Sequence, residues 1–130
     1  MGCGSGILAI GAAKLGFAPV RGFDNDADAV AMACANGRRN EAAVSFFHCD
    51  LAACAERADV VVANILAPVL IEHAAAIARA VLPGPGGALV VSGILEDQYD
   101  AVLAVFARHG FAERANLTIE GWRSGWLARG

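Results

Sequence analysis

The sequence lacks any apolar run long enough to cross a lipid bilayer. Its longest apolar stretch, residues 6–15, is interrupted by Gly11 and Lys14 and is far shorter than the roughly 20 residues that a transmembrane helix requires. The start of the chain also has no basic segment and no small-residue cleavage site of the kind found in signal peptides. These absences predict a cytoplasmic protein that does not associate with a membrane.

Positive charge is scarce as well. The chain has 10 Lys and Arg against 13 Asp and Glu, which gives a formal net charge of −3. The longest basic run is the pair Arg38 and Arg39. A surface that binds nucleic acid normally needs a clustered excess of Lys and Arg. The composition therefore argues against direct contact with nucleic acid and leaves the oligomeric state open.

Cysteine and histidine form no pattern that would indicate a disulfide framework or a metal site. The four cysteines include no C-x-x-C pair, and the three histidines are scattered along the chain. Because 57% of the 130 residues are hydrophobic, one domain of this length builds a core without disulfides. We expect reduced thiols and no bound metal. Cys3 has no histidine near it in sequence, so it is interpreted as a small packing residue rather than a nucleophile.

The most informative segment is the glycine-rich run at the start, Met1-Gly2-Cys3-Gly4-Ser5-Gly6. Gly2 and Gly4 allow the backbone to turn sharply and to approach a ligand where a Cβ would clash. Gly6 allows the next helix, predicted over residues 7–15, to pack closely. The start of that helix directs free N–H groups and the positive end of its dipole at the turn. The run predicts a site for a nucleoside-type cofactor, but no residue remains upstream to form the strand that should precede it.

Strand-like and helix-like segments alternate along the chain, which predicts an α/β fold with a doubly wound, mostly parallel sheet. Its last two strands are expected to form an antiparallel pair at the sheet edge. Strands are predicted over residues 19–24, 44–48, 59–64, 88–92, 111–120 and 122–128. Helices are predicted over 7–15, from an N-cap at Asp26 to about Asn36-Gly37, and over 68–82 and 96–109.

Two aspartates follow predicted strands at the edge where such sheets bind ligands. Asp24 comes about 20 residues after the glycine turn, where a carboxylate can accept hydrogen bonds from ribose hydroxyls. Dinucleotide-binding proteins also place an acid there, but their third glycine comes one position later, where Ile7 stands in this chain. The glycine spacing therefore favours a site for S-adenosylmethionine over a site for a dinucleotide. Asp50 is expected to accept a hydrogen bond from the adenine amine; the alternative is an aspartate that only caps its loop.

Asn64 follows the most apolar predicted strand. Its side-chain carbonyl, with nearby backbone carbonyls, could hold an amine so that the nitrogen lone pair points at a methylsulfonium. Methyl transfer to a neutral amine depends mainly on positioning and on the exclusion of water. The alternative is an asparagine that merely closes the turn from strand to helix.

The chain shares several segments with a known group of enzymes. They are Gly2-Cys3-Gly4-Ser5-Gly6-Ile7-Leu8-Ala9-Ile10, Asp24-Asn25-Asp26, Asn64-Ile65-Leu66-Ala67, Pro68-Val69-Leu70, Pro85-Gly86-Gly87 and Ser92-Gly93-Ile94-Leu95. With these segments the chain resembles the class I, S-adenosylmethionine-dependent methyltransferases. The N-I-L-A and S-G-I-L motifs together resemble the ribosomal protein L-eleven lysine methyltransferase family. The resemblance runs from Gly2 to the end of the chain.

The resemblance implies a Rossmann-like methyltransferase domain over residues 1–130, with S-adenosylmethionine as the methyl donor. It implies that the acceptors are amino groups of a large-subunit ribosomal protein, namely lysine ε-amines and an N-terminal α-amine. The residues to which it gives a role are Gly2, Gly4, Gly6, Asp24 and Asp50 at the cofactor and Asn64 at the acceptor amine. Among these, Asp50 matches the family less closely, because its surrounding loop is not distinctive.

The chain departs from that family at its N-terminus. The family carries a domain that recognises the ribosomal protein, and it carries an apolar strand ending in Asp-Val before the glycine turn. Met1 stands at the position of that valine, and a GTG valine codon read as a start would yield it. We therefore expect a mis-assigned start or a truncated gene, with the first strand missing. The alternatives for function are a methyltransferase acting on another protein lysine or a small amine, and a catalytically silent remnant.

Overall fold

A computed structural model describes residues 1–129. The chain divides into two compact units, one over Met1–Ala53 and a second that begins at Cys54. Helices and strands alternate along most of both units, and the strands form separate sheets of two and four strands. Within the described residues, no helix is both long enough and apolar enough to cross a membrane.

The first unit contains two helices and two parallel strands. In chain order these are α1 (Ile7–Lys14), β1 (Val20–Asp24), α2 (Ala27–Arg39) and β2 (Val44–His48). Val20 lies opposite Val44 and Asp24 lies opposite His48, so the carboxyl ends of β1 and β2 are side by side. All four elements were predicted from the sequence, three of them to within one residue at either end.

The second helix is longer than the sequence predicts. It begins at the expected N-cap, where Asp26 Oδ1 accepts a 2.9 Å hydrogen bond from the Asp28 N–H. The Asn36-Gly37 pair was predicted to end the helix, but α2 continues to Arg39. Gly37 is buried, and a Cβ there would lie 3.2 Å from the Phe46 ring. The glycine is therefore explained by close packing against β2 and not by a helix end.

The second unit contains four strands and three helices. In chain order these are β3 (Val60–Asn64), α3 (Ala67–Glu72), α4 (Ala74–Ala80), β4 (Ala88–Leu95), α5 (Glu96–Ala107), β5 (Phe111–Ile119) and β6 (Trp122–Arg129). The strand order is β3-β4-β6-β5. β3 and β4 are parallel, whereas β6 is antiparallel to both β4 and β5. The parallel pairs and the antiparallel final pair agree with the predicted fold class.

Two elements of this unit differ from their predicted bounds. The single helix predicted over 68–82 is two helices, because His73 adopts φ −102° and ψ 15°, outside helical geometry. The strand predicted to end at Ser92 continues to Leu95. It does so through Gly93, whose φ of 75° accompanies a register shift between Val91 and Ile94 in the pairing with β6.

The two faces of the four-stranded sheet differ in how they are covered. α3 and α5 pack on one face and bury its apolar side chains. The core residues from sheet and helices include Val61, Ala63, Leu70, Leu89, Val91, Val102, Phe106 and Leu127. The strand register places Trp122, Trp126, Leu117 and Ile119 on the opposite face, where all four are exposed.

Candidate functional site

The glycine turn at the start of the first unit is a left-handed loop tied to the end of β1. Gly2, Gly4 and Gly6 have φ values of 61°, 49° and 84°, a region that residues with a Cβ rarely adopt. The Cys3 N–H donates to the Phe23 carbonyl at 2.9 Å, and the Gly6 N–H donates to the Cys3 carbonyl at 2.7 Å. The three alternating glycines therefore stand at backbone positions whose φ values favour glycine, as the sequence predicted.

The surroundings of Gly4 and Gly6 are different. A Cβ on Gly4 would have no atom within 4 Å, so this part of the turn faces open space. A Cβ on Gly6 would lie 2.8 Å from the Phe46 ring and 3.1 Å from the Ala33 Cβ, both closer than normal contact. Gly4 thus leaves room for a ligand beside the backbone, whereas Gly6 allows the turn to pack against α2 and β2.

Asp24 joins the end of β1 to the glycine turn. Its Oδ2 accepts a 2.9 Å hydrogen bond from the Gly4 N–H, and its Oδ1 accepts a 3.1 Å hydrogen bond from the Asp26 N–H. An ionised carboxylate offers about four lone-pair sites. Both oxygens of Asp24 therefore keep capacity for further donors such as ribose hydroxyls, while the existing bonds fix the orientation of the carboxylate.

Asp50 lies just beyond β2, near the end of β1, because the Cys49 N–H donates to the Asp24 carbonyl at 3.0 Å. Its Oδ1 accepts a 2.8 Å hydrogen bond from the Ala52 N–H, which is the geometry of a loop-capping aspartate. The Asp50 side chain is exposed, and within the described residues the hydrogen bond seen to its carboxylate is the one to Oδ1. The loop-capping alternative is thus seen in the structure, and one oxygen remains available for a ligand.

The thiol of Cys3 is poorly suited to act as a nucleophile. Burial of the side chain, followed by the nearby Asp24 carboxylate, raises the pKa of this thiol. The thiolate is the reactive form of cysteine, so Cys3 is mainly protonated at neutral pH. The sequence-based interpretation of Cys3 as a packing residue agrees with this environment.

One hydrogen bond to the glycine turn could not be predicted from the sequence. The Asn36 side-chain amide donates a 2.9 Å hydrogen bond to the Ser5 carbonyl and so ties the glycine turn to α2. Because these residues are 31 positions apart, only the packing of the turn against α2 reveals the pair.

In the second unit, Asn64 lies at the end of β3 and is exposed. It is the register partner of Ser92, which precedes Gly93 in β4. A Cβ on Gly93 would lie 2.5 Å from Asn64 Oδ1, so the amide oxygen occupies the space beside this bare backbone. The sequence indicated a strand end at Ser92-Gly93 and a family motif over Ser92-Gly93-Ile94-Leu95, but it gave Gly93 no role of its own. A glycine inside a strand pattern is the signal that indicates such a close approach.

Two other features bear on the chemistry. In the described part of the chain, no group of three or more His, Cys, Asp or Glu side chains could hold a metal ion. A shallow groove of about 380 Å³ lies on α5, β5 and β6 and is lined by Leu103, Ala104, Ala107, Phe111, Ala112, Glu113 and Leu127. None of the sequence-predicted site residues lines this groove, and its lining is apolar apart from Glu113.

The sequence is similar to that of a group of bacterial methyltransferases. The family model described as ribosomal protein L11 methyltransferase (PrmA) matches residues 1–128. The chain is 43% identical over 122 residues to the ribosomal protein L11 methyltransferase of Methylococcus capsulatus, covering 93% of this chain and 41% of that protein. It is 45% identical over 129 residues to that of Burkholderia orbicola, covering 97% and 39%. The chain thus spans about two fifths of the length of these relatives.

Solved structures agree with this similarity. The ribosomal protein L11 methylase of Lactobacillus delbrueckii subsp. bulgaricus superposes with a TM-score of 0.90 at 28% identity, covering 98% of this chain and 67% of that one. The magnesium protoporphyrin IX methyltransferase of Synechocystis, solved with bound SAH, superposes with a TM-score of 0.80 at 17% identity, over 99% of this chain and 72% of that one. The second likeness shows the class I methyltransferase fold alone. With a family model matched over nearly its whole length, the chain belongs to the ribosomal protein L11 methyltransferase family.

Proposed function

We propose that this protein transfers methyl groups from S-adenosylmethionine to amino groups of ribosomal protein L11, at lysine ε-amines and the N-terminal α-amine. The observation that carries the proposal is the left-handed glycine turn bonded to the Asp24 carboxylate through the Gly4 N–H. That arrangement suits a nucleoside-type cofactor, and the chain that contains it belongs to the ribosomal protein L11 methyltransferase family.

The residues of the first unit suit the cofactor. Gly4 has open space where a side chain would stand, so the backbone can approach a ligand closely. The first turn of α1 presents free N–H groups and the positive end of the helix dipole. The Asp24 oxygens would accept the ribose hydroxyls, and Asp50 Oδ2 would accept the adenine amine. When bound, S-adenosylmethionine supplies an electrophilic methyl group on a sulfonium.

The acceptor side of the proposal rests on Asn64. Its carbonyl oxygen would accept an N–H of the incoming neutral amine and thereby orient the nitrogen lone pair. An amide remains uncharged near neutral pH, so it positions the amine without holding it as an ammonium ion. Because an amine is itself a good nucleophile, the main contribution of Asn64 would be orientation, which can account for several kcal/mol of a barrier.

The two halves of the proposal are tested separately, on the protein at its natural length. Asp24→Ala should weaken S-adenosylmethionine binding by about 1.5–3 kcal/mol, the scale of hydrogen bonds to a charged group. Asn64→Ala should leave that affinity nearly unchanged and lower the turnover of ribosomal protein L11 by about tenfold or more. Calorimetric titration and transfer of a radiolabelled methyl group measure the two effects.

Asp26→Ala is the matched control. Asp26 caps α2 through the Asp28 N–H, so its loss should destabilise the helix by about 0.5–2 kcal/mol with little change in cofactor affinity. Unchanged affinity in Asp24→Ala would remove Asp24 from the site, and normal turnover in Asn64→Ala would remove Asn64. Binding of NAD in place of S-adenosylmethionine would overturn the proposed class of cofactor.

A further inference from the structure

Gly93 occupies an unusual position within β4. Its φ of 75° is left-handed, and the pairing of β4 with β6 shifts register between Val91 and Ile94. Its neighbour Ser92 remains the register partner of Asn64 on β3. A glycine inside a strand marks either a bulge or a close approach of another group to the backbone. At Gly93 both are present.

The group that approaches Gly93 is the side-chain amide of Asn64. A Cβ on Gly93 would lie 2.5 Å from Asn64 Oδ1, and next nearest would be Asn64 Cγ at 3.6 Å and the Ile65 nitrogen at 3.7 Å. Among the described residues, no hydrogen bond holds the Asn64 amide. The space that the amide oxygen occupies is the space that a side chain at residue 93 would need.

We propose that Gly93 is a positioning residue for methyl transfer, because the absence of a side chain there allows Asn64 Oδ1 to lie where it meets the acceptor amine. This inference rests on the proposed function of Asn64. A methyl group at residue 93 would force the amide away from its present place. Misplacing a reacting group by about 1 Å can cost about a hundredfold in rate, so this one contact is enough to control turnover.

The test compares Gly93→Ala with Gly110→Ala in the protein at its natural length. Both glycines lie in the second unit with left-handed φ values, 75° and 83°, so alanine strains the backbone similarly at each. A Cβ on Gly110 would meet no atom within 4 Å. Only Gly93→Ala should therefore displace Asn64. We expect kcat on ribosomal protein L11 to fall by about tenfold to a hundredfold in Gly93→Ala and to stay within about twofold of the unsubstituted protein in Gly110→Ala.

Two further measurements separate positioning from a general loss of structure. The Kd for S-adenosylmethionine should be the same in the two glycine variants. In the Asn64→Ala background, Gly93→Ala should cause no additional fall in the residual kcat, because the group through which it acts is gone. A further fall in the double variant would mean that Gly93 acts independently of Asn64 and would overturn the inference.

A Gly93→Ala variant that fails to fold still distinguishes the two outcomes. If Gly93→Ala alone is unfolded, removal of the Asn64 amide should relieve the clash, and the double variant should melt at the temperature of Gly110→Ala. A double variant that is also unfolded would contradict the inference. Normal turnover in Asn64→Ala would instead refute the proposed role of Asn64. Slow turnover in Asn64→Ala together with equal turnover in the two glycine variants would refute only the role of Gly93.

Discussion

At the scale of single residues, glycines of one short segment have different physical purposes. Gly4 and Gly6 both have left-handed φ values, but only Gly6 has neighbours where a side chain would stand. Gly11 lies within α1 in ordinary helical geometry and also faces open space. A count of glycines in the sequence cannot separate these cases. The atoms that would surround a Cβ at each glycine distinguish the three positions.

This difference gives an expected order of stabilities. Gly6→Ala should lower the free energy of unfolding by about 2 kcal/mol or more, because the new methyl group overpacks Phe46 and the backbone must hold a strained φ. Gly11→Ala, the control in the same segment, should raise it by about 0.5–1 kcal/mol, because alanine favours the helix and meets no neighbour. Urea unfolding followed by circular dichroism measures both. A Gly6→Ala protein at least as stable as the unsubstituted one would show that the turn does not pack against β2.

At the scale of elements, one tyrosine joins α5 to the antiparallel strands. Tyr99 is fully buried, and its hydroxyl donates a 3.0 Å hydrogen bond to Glu113 on β5. The guanidinium carbon of Arg123 on β6 lies 4.7 Å from the centre of the ring. Burial, followed by the hydrogen bond to Glu113, raises the pKa of Tyr99, so the hydroxyl remains a donor. Gly125 on β6 passes directly beneath it, where a Cβ would overlap the hydroxyl oxygen.

Gly125→Ala should therefore destabilise the second unit by about 1–3 kcal/mol through overpacking. Tyr99→Phe alone should cost about 1 kcal/mol, the usual value of a lost hydrogen bond. Combined, the two substitutions should cost less than the sum of the single losses, since removal of the hydroxyl relieves part of the overlap. Thermal unfolding of all four proteins gives the coupling energy. Strict additivity would argue against direct contact between the Tyr99 hydroxyl and β6.

The elements also show what the sequence can and cannot predict. The bounds of β2 and the Asp26 cap of α2 depend on local preferences, and they were predicted correctly. The end of α2 was predicted wrongly, because Gly37 is read locally as a helix breaker although it serves to admit the Phe46 ring. The contact of Tyr99 with Gly125 joins residues far apart in sequence and has no local signal.

In the candidate site, too, the local features could be predicted from the sequence and the contacts between distant residues could not. The left-handed turn and its approach to Asp24 follow from glycine spacing and from the edge at which parallel strands end. The place of Gly93 against Asn64 depends on the register of β3 and β4, which residue pattern alone does not give. The roles of Asp24, Asp50 and Asn64 toward ligands stay predictions, for which the variants above are the test.

At the scale of the whole molecule, large apolar side chains are exposed in both units. Trp122 and Trp126 are 50% and 49% exposed, on the same uncovered face of the four-stranded sheet as Leu117 and Ile119. Contiguous apolar patches of this kind mark surfaces that bind a partner or aggregate. In the first unit, β1 and β2 form a sheet of only two strands, so the stability of this pair depends on its packing against α1 and α2.

We therefore expect residues 1–130, expressed alone, to be poorly soluble or loosely packed and to bind the dye ANS. A typical domain is stable by only about 5–15 kcal/mol, so an exposed apolar face and a two-stranded sheet are large effects relative to that margin. Replacing both Leu117 and Ile119 with threonine should reduce dye binding and self-association without lowering the melting temperature, because threonine suits an exposed strand. Leu127→Thr, the matched change on the buried face of β6, should instead unfold the second unit. A sharp melting transition for residues 1–130 without dye binding would show that the exposed face and the two-stranded sheet are stable as they stand.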